Sequence, residues 1–238
     1  MLACQPARHE ALTIATAANM QYAMAELMES FSKHSGVACH MVVGSSGKLT
    51  AQIMEGAPYD VFVSADKKYP QALYEAGMTL SRPITYAQGH LVLWSTNLKS
   101  IALEQLTNSE VEHIAIANPE TAPYGSAARE LLNNVDLWEQ VESKLVYGES
   151  VAQTNQFISS GAASMGITSE STVMAPINEH QGTWVHLDED FYTPIEQALV
   201  LIKSTPDKEQ QAAAFRDFVQ TPEGKQILIK FGFRIPEQ

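Results

Sequence analysis

Short apolar runs alternate with polar turns that open helices, and this pattern recurs along most of the chain. Leu12 and Ile14 alternate with threonines in a strand over residues 11–18 that ends in Ala-Ala-Asn. The segment after Asn19, read as a helix N-cap, sets Met20, Met24, Leu27 and Phe31 on one helical face and closes at Gly36. The unit repeats as a strand over 37–43, a Gly-Ser-Ser-Gly turn over 44–47, and a helix marked by Leu49 and Ile53. It repeats again as a buried strand over 60–66 and a helix through Leu73 to Gly77.

Beyond residue 87 the same alternation continues. Residues 91–94 form a strand and 103–106 a helix-like turn; residues 114–117 form a strand that leads through Pro123, Tyr124 and Gly125 into a helix carrying Leu131 and Leu132. A strand over 144–147, a turn over 148–150 and a helix with Val151, Thr154 and Ile158 on one face follow, then a short strand over 165–168 and a loop over 176–182. Residues 198–202 make one more buried strand. Two helices finish the chain, the last with Thr221 as N-cap and Pro222 in its first turn. Strands alternating with helices imply α/β architecture, with largely parallel sheets covered on both faces.

Four strand-to-helix turns present unpaired N–H groups: at Asn19, at Ser45 and Ser46, at Tyr124 and Gly125, and at Val151. Two fall in each half of the pattern. Such turns lie at the carboxyl ends of the strands, where open α/β sheets bind ligands, and each helix end carries a fraction of a positive charge. If the halves face one another, the turns form a cradle for an oxyanion.

Composition narrows the partners. With 238 residues and 45% hydrophobic content the chain can bury a sizeable core, and a net charge of -12 argues against nucleic acid or an anionic membrane surface. Neither Gly-x-Ser-x-Gly nor a metal spacing such as His-Glu-x-x-His occurs, so neither catalysis nor a cofactor is expected; an α/β enzyme is the more distant alternative. Cys39 lies in an apolar run and reads as a buried thiol. Cys4, in Met-Leu-Ala-Cys, looks like the end of a bacterial lipoprotein signal and is a candidate lipid anchor.

The opening Thr-Ile-Ala-Thr-Ala-Ala-Asn-Met, the block from Gly44 through Gln-Ile-Met-Glu-Gly-Ala-Pro-Tyr-Asp-Val-Phe-Val-Ser-Ala-Asp, and the closing Lys-Phe-Gly-Phe resemble the molybdate-binding proteins of bacterial ABC importers over residues 11–233. The resemblance implies a type II periplasmic-binding fold of two lobes, each a mostly parallel sheet flanked by helices. Residues 10–86 and 194–238 are expected to form lobe 1 and residues 87–193 lobe 2, with molybdate or tungstate held between them. The family's contacts fall on Asn19, on Ser46 with Ser45 as the alternative, and on the backbone N–H groups of Tyr124 and Val151. Ser169 stands where many members carry a tyrosine. The expected partners are the membrane permease and ATPase of an ABC importer, and the expected state is an extracytoplasmic monomer. Sulfate, thiosulfate or phosphate is the alternative ligand; phosphate calls for an acidic acceptor, and Glu149 is the nearest in sequence.

Overall fold

The computed structural model describes residues 11–178 and 181–236. Cys4 lies outside them, as do His9 and His180. The chain begins with β1 (Leu12–Ala17), a 3-10 turn (Ala18–Met20) and α1 (Gln21–Ser35), then β2 (Cys39–Gly44), α2 (Ser46–Met54), β3 (Val61–Ser64), α3 (Lys68–Glu75) and β4 (Ile84–Gly89). After His90 it continues as β5 (Leu91–Ser95), β6 (Ile114–Ala117), α4 (Pro123–Asn134), α5 (Trp138–Val141), β7 (Leu145–Gly148), α6 (Val151–Ser159), β8 (Met165–Ser169), α7 (Glu170–Val173) and β9 (Thr183–His186). β10 (Ile195–Leu201), α8 (Pro206–Val219) and α9 (Pro222–Lys230) complete it.

Two five-stranded sheets result, in the orders β2-β1-β3-β10-β4 and β7-β6-β8-β5-β9. Each is mixed, with a single strand running against the rest: β10 pairs antiparallel with β3 and β4, and β5 with β8 and β9. Both reversed strands are the ones that enter their sheet directly from the other lobe. The two-lobed fold is therefore tied by two crossovers, the short one at His90 and the longer one between β9 and β10.

Strand periodicity explains why both faces of each sheet are covered. In the first sheet Leu12, Ile14, Val61, Val63, Leu199 and Leu201 face α1, α8 and α9, while Ala15, Phe62 and Val200 pack with Leu49 of α2 and Leu73 of α3. In the second, Leu91, Leu93, Ile114 and Ile116 meet Leu131 and Leu132 of α4, and Val92, Trp94 and Ala115 meet Ile158 of α6. Thr221 caps α9 by accepting from the Gly224 N–H, as its position before Pro222 suggests.

Several local expectations change. Asn19 caps nothing, because the chain enters α1 through the 3-10 turn and neither cap position carries a side-chain bond. Cys39 is only half-buried, since β2 is the outer strand of its sheet. The helix-like segment at 103–106 is a 3-10 turn over Leu103–Thr107. β4 and β9 are additional strands whose short, mixed sequences, Ile-Thr-Tyr-Ala-Gln-Gly and Thr-Trp-Val-His, carry no strong apolar run.

The first turn of α4 sits directly on the end of β6. A Cβ at Gly125 would lie 2.1 Å from the Ala117 carbonyl oxygen, a backbone atom that cannot step aside. Gly125→Ala should lower stability by about 1–3 kcal/mol, or roughly 2–10 °C in Tm. A thermal melt checks this, and an unchanged Tm would show that the helix is free to shift.

Candidate functional site

Each lobe sends two strand-to-helix turns to the lobe interface. β1 enters its helix at Ala18 and Asn19, and α2 begins at Ser46 with Ser45 extended at the cap position (φ -73°, ψ 150°). On the other side β6 leads through Ala122 into α4, whose Pro123 is preset for a first helical turn, and β7 leads through Ser150 into α6 at Val151. The leading N–H groups of each helix have no intrahelical acceptor.

The four turns meet. Asn19, Ser45 and Ser46 from one lobe and Tyr124 and Val151 from the other line a single cavity of about 10 Å3, closed off by alanines and Pro123. Among the described residues no acidic, basic or histidine side chain lines it. Asp66, two residues beyond the end of β3, turns its carboxylate to the start of α3, accepting from the Ser64 hydroxyl and the Tyr69 N–H. Ser169 does not reach the cavity. Its hydroxyl is buried in bonds with Thr172 (2.8 Å) and Ser171 (3.1 Å).

The two serines play different parts. Ser46 Oγ accepts the Ala65 N–H at 3.0 Å, which occupies a lone pair and leaves its proton to be donated. Ser45 Oγ is buried without a hydrogen-bond partner and makes no cap bond. Thr16 Oγ1 and Asn19 Oδ1 are buried and unpartnered as well. Such orphans are uncommon, because a buried polar atom without a partner costs about 1–3 kcal/mol.

Asn19 also joins the lobes. Its Nδ2 donates to Gln197 Oε1 at 2.9 Å and lies 3.5 Å from the Tyr124 hydroxyl oxygen, while its backbone carbonyl accepts from the Ser171 hydroxyl at 2.8 Å. Burial pushes the Tyr124 phenol far above its ordinary pKa, with the neighbouring Tyr192 adding to the effect, so this hydroxyl stays protonated. At the rim the Gly47 N–H donates to the Thr121 carbonyl at 2.9 Å, Tyr69 Oη donates to the Glu120 carbonyl at 3.2 Å, and Lys48 pairs with Glu149. A side chain at Gly47 would strike the Tyr69 hydroxyl at 2.7 Å. Glu149 is thus engaged by a lysine outside the cavity. Gln197 is the neighbour that sequence reading misses, as it stands 178 residues from Asn19.

Wider hollows of about 800 and 600 Å3 lie elsewhere on lobe 1, between α1 and α9 and at the amino ends of β1 and β3. Glu26, Glu29 and Glu223 outnumber Lys33 and Lys230 in the first, which disfavours an anion there; Asp60, Lys203 and Lys208 line the second, with Lys208 paired to Asp60. Among the described residues no cluster of His, Cys, Asp and Glu could hold a metal ion.

Helix termini from two lobes, closing on a buried cavity lined by hydroxyl and N–H donors, define a binding site for a small solute. A family model of bacterial extracellular solute-binding proteins matches residues 12–234, and the chain belongs to that family. It is 36% identical over 230 residues to the molybdate-binding protein ModA of Rhodobacter capsulatus, covering 96% of this chain and 90% of the relative. It is 35% identical over 237 residues to ModA of Azotobacter vinelandii, covering 98% and 93%. The solved Azotobacter vinelandii periplasmic molybdate-binding protein superposes with a TM-score of 0.88 at 33% identity, covering 95% of this chain and all of that one.

Adjacent serines should respond with opposite sign. Ser45→Ala removes an orphaned hydroxyl that makes no cap bond, so stability should hold or rise by about 1 kcal/mol. Ser46→Ala strands the Ala65 N–H and should lower stability by about 1–3 kcal/mol. Urea titrations of both variants test the pair; equal losses would mean that Ser45 is bonded after all.

Proposed function

We propose that this extracellular solute-binding protein captures molybdate or tungstate between its lobes and delivers it, as a monomer and without a cofactor, to the permease and ATPase of an ABC importer. Asn19, Ser45, Ser46 and the backbone N–H groups of Tyr124 and Val151 are the contacts. Ser169 is left out of the set because its hydroxyl is already engaged. The observation that carries the reading is the cavity itself, where turns from both lobes converge with hydroxyls and N–H groups and no charged side chain. Molybdate near neutral pH is a fully deprotonated dianion, which such donors suit. The identities to molybdate-binding relatives support the same ligand.

The cavity lies between the lobes, so the lobes must part to admit an oxyanion and close around it. Residues 10–86 and 194–238 move as one body against 87–193 in this scheme, with the crossovers as hinges. Acylation at Cys4 supplies a membrane tether in the same scheme.

One atom favours a second reading. Asn19 Oδ1, buried and unpartnered, can accept a hydrogen bond, and hydrogen phosphate has a proton to give where molybdate and sulfate have none.

A thermal-shift panel of tetrahedral oxyanions separates these ligands, since a ligand that binds only the folded state adds about 2.7 kcal/mol at a hundred times its dissociation constant. Molybdate and tungstate should give large upward shifts, and sulfate and phosphate much smaller ones. A phosphate shift as large as that of molybdate would favour the second reading, and no shift with any anion would sink both. Ser45→Ala should bind molybdate at least about tenfold more weakly, because a hydrogen bond to a charged group contributes about 1.5–3 kcal/mol. Ser45→Asp keeps an equally good N-cap residue but sets a carboxylate against the dianion, and calorimetry should detect no binding. Small-angle scattering should report compaction on adding molybdate, as the ligand shifts the population toward closure.

A further inference from the structure

Gln197 lies in β10, fully buried, and does not line the cavity. Its amide has one workable orientation. Nε2 faces two carbonyl oxygens, Ile195 at 3.2 Å and Ala65 at 3.4 Å, so it must be the donor end. Oε1 is then the end that faces Asn19, and it accepts from Asn19 Nδ2 at 2.9 Å. That bond fixes the Asn19 carboxamide in turn, because a half-turn would set oxygen against oxygen. One N–H of Asn19 is thereby committed to Gln197. The other has only the Tyr124 hydroxyl, at the outer limit of hydrogen-bond distance, 3.5 Å.

We propose that Gln197 is a positioning residue for the oxyanion site, holding the Asn19 carboxamide so that its second N–H is available to the bound anion. The inference rests on the molybdate reading given above. Backbone carbonyls of lobe 1 set Gln197, Gln197 sets Asn19, and Asn19 meets both the ligand and the Tyr124 of the opposite lobe. The carbonyls involved belong to residues flanking the site, Ala65 after β3 and Ile195 at the second crossover, so the chain of bonds registers the crossover against the cradle.

Gln197→Met keeps length and burial while removing both amide groups. Molybdate affinity should fall about tenfold in the otherwise unchanged protein. In an Asn19→Ala background, which keeps the backbone donors, the same substitution should change affinity less than about twofold, because its route to the ligand is gone. Calorimetric titration of the four proteins, each first shown to melt cooperatively, measures the coupling. Gln197→Leu replaces the Met variant if that one does not fold. A similar loss in both backgrounds would show a structural role acting independently of Asn19 and overturn the proposal, as would parent-like binding by Gln197→Met. If the unsubstituted protein fails to bind molybdate, the functional reading falls and this inference falls with it. If it binds and the cycle is additive, only the positioning role is lost.

Discussion

A dianion held inside a chain of net charge -12 has to be stabilised locally against the field of the whole molecule. Helix termini can do this where free lysines would not select. A lysine brings a mobile full charge that any anion satisfies, whereas N–H groups at the starts of α1, α2, α4 and α6 are fixed in direction by the backbone. The topology follows from this requirement. Each helix must start at the carboxyl end of a parallel strand, and the two sheets must present those ends to each other. Reversed strands β5 and β10 are compatible with it because each returns the chain without spending a cradle turn.

The same requirement accounts for local instability at the cavity. Ser45 Oγ, a donor that lines the cavity, is one of five buried side-chain polar atoms among the described residues that lack a hydrogen-bond partner. A hydroxyl bonded within the protein could not donate at full strength to a ligand. Leaving Ser45 unbonded therefore sacrifices folding stability for an affinity that is expressed only when an anion is present. Ser46 reaches a compromise: accepting the Ala65 N–H orients the hydroxyl while leaving its proton unused.

The strand-turn-helix rhythm makes the cradle legible in the sequence, because apolar period and turn chemistry are local properties. Leu12, Ile14 and the helical face from Met20 to Phe31 report their surroundings by spacing alone. What the sequence hides depends on residues distant in the chain. Asn19 has the side chain of an N-cap, yet its amide is drawn off by Gln197 and Tyr124, neither of them near it in sequence. Ser169 follows a strand as the cradle residues do, but Ser171 and Thr172, two and three residues on, take its hydroxyl. β4 leaves little local signal because it is held by β10 rather than by its own apolar content.

A protein that delivers its solute, as proposed, must also let go, and the rim contacts between the lobes are of a strength that permits it. Lys48 and Glu149 are each more than half exposed, so their pairing contributes about 0–1 kcal/mol and weakens with salt. The Gly47 and Tyr69 bonds end on backbone carbonyls of the Glu120–Thr121 turn that water can also satisfy once the lobes part. None of these contacts strands a buried group on opening. The interactions that do depend on closure are the ones at Asn19 and Tyr124, which share the cavity with the proposed ligand. Closure is then governed less by the rim than by the groups around the cavity, the Ser171 bond to the Asn19 backbone carbonyl and the contacts of the proposed ligand among them.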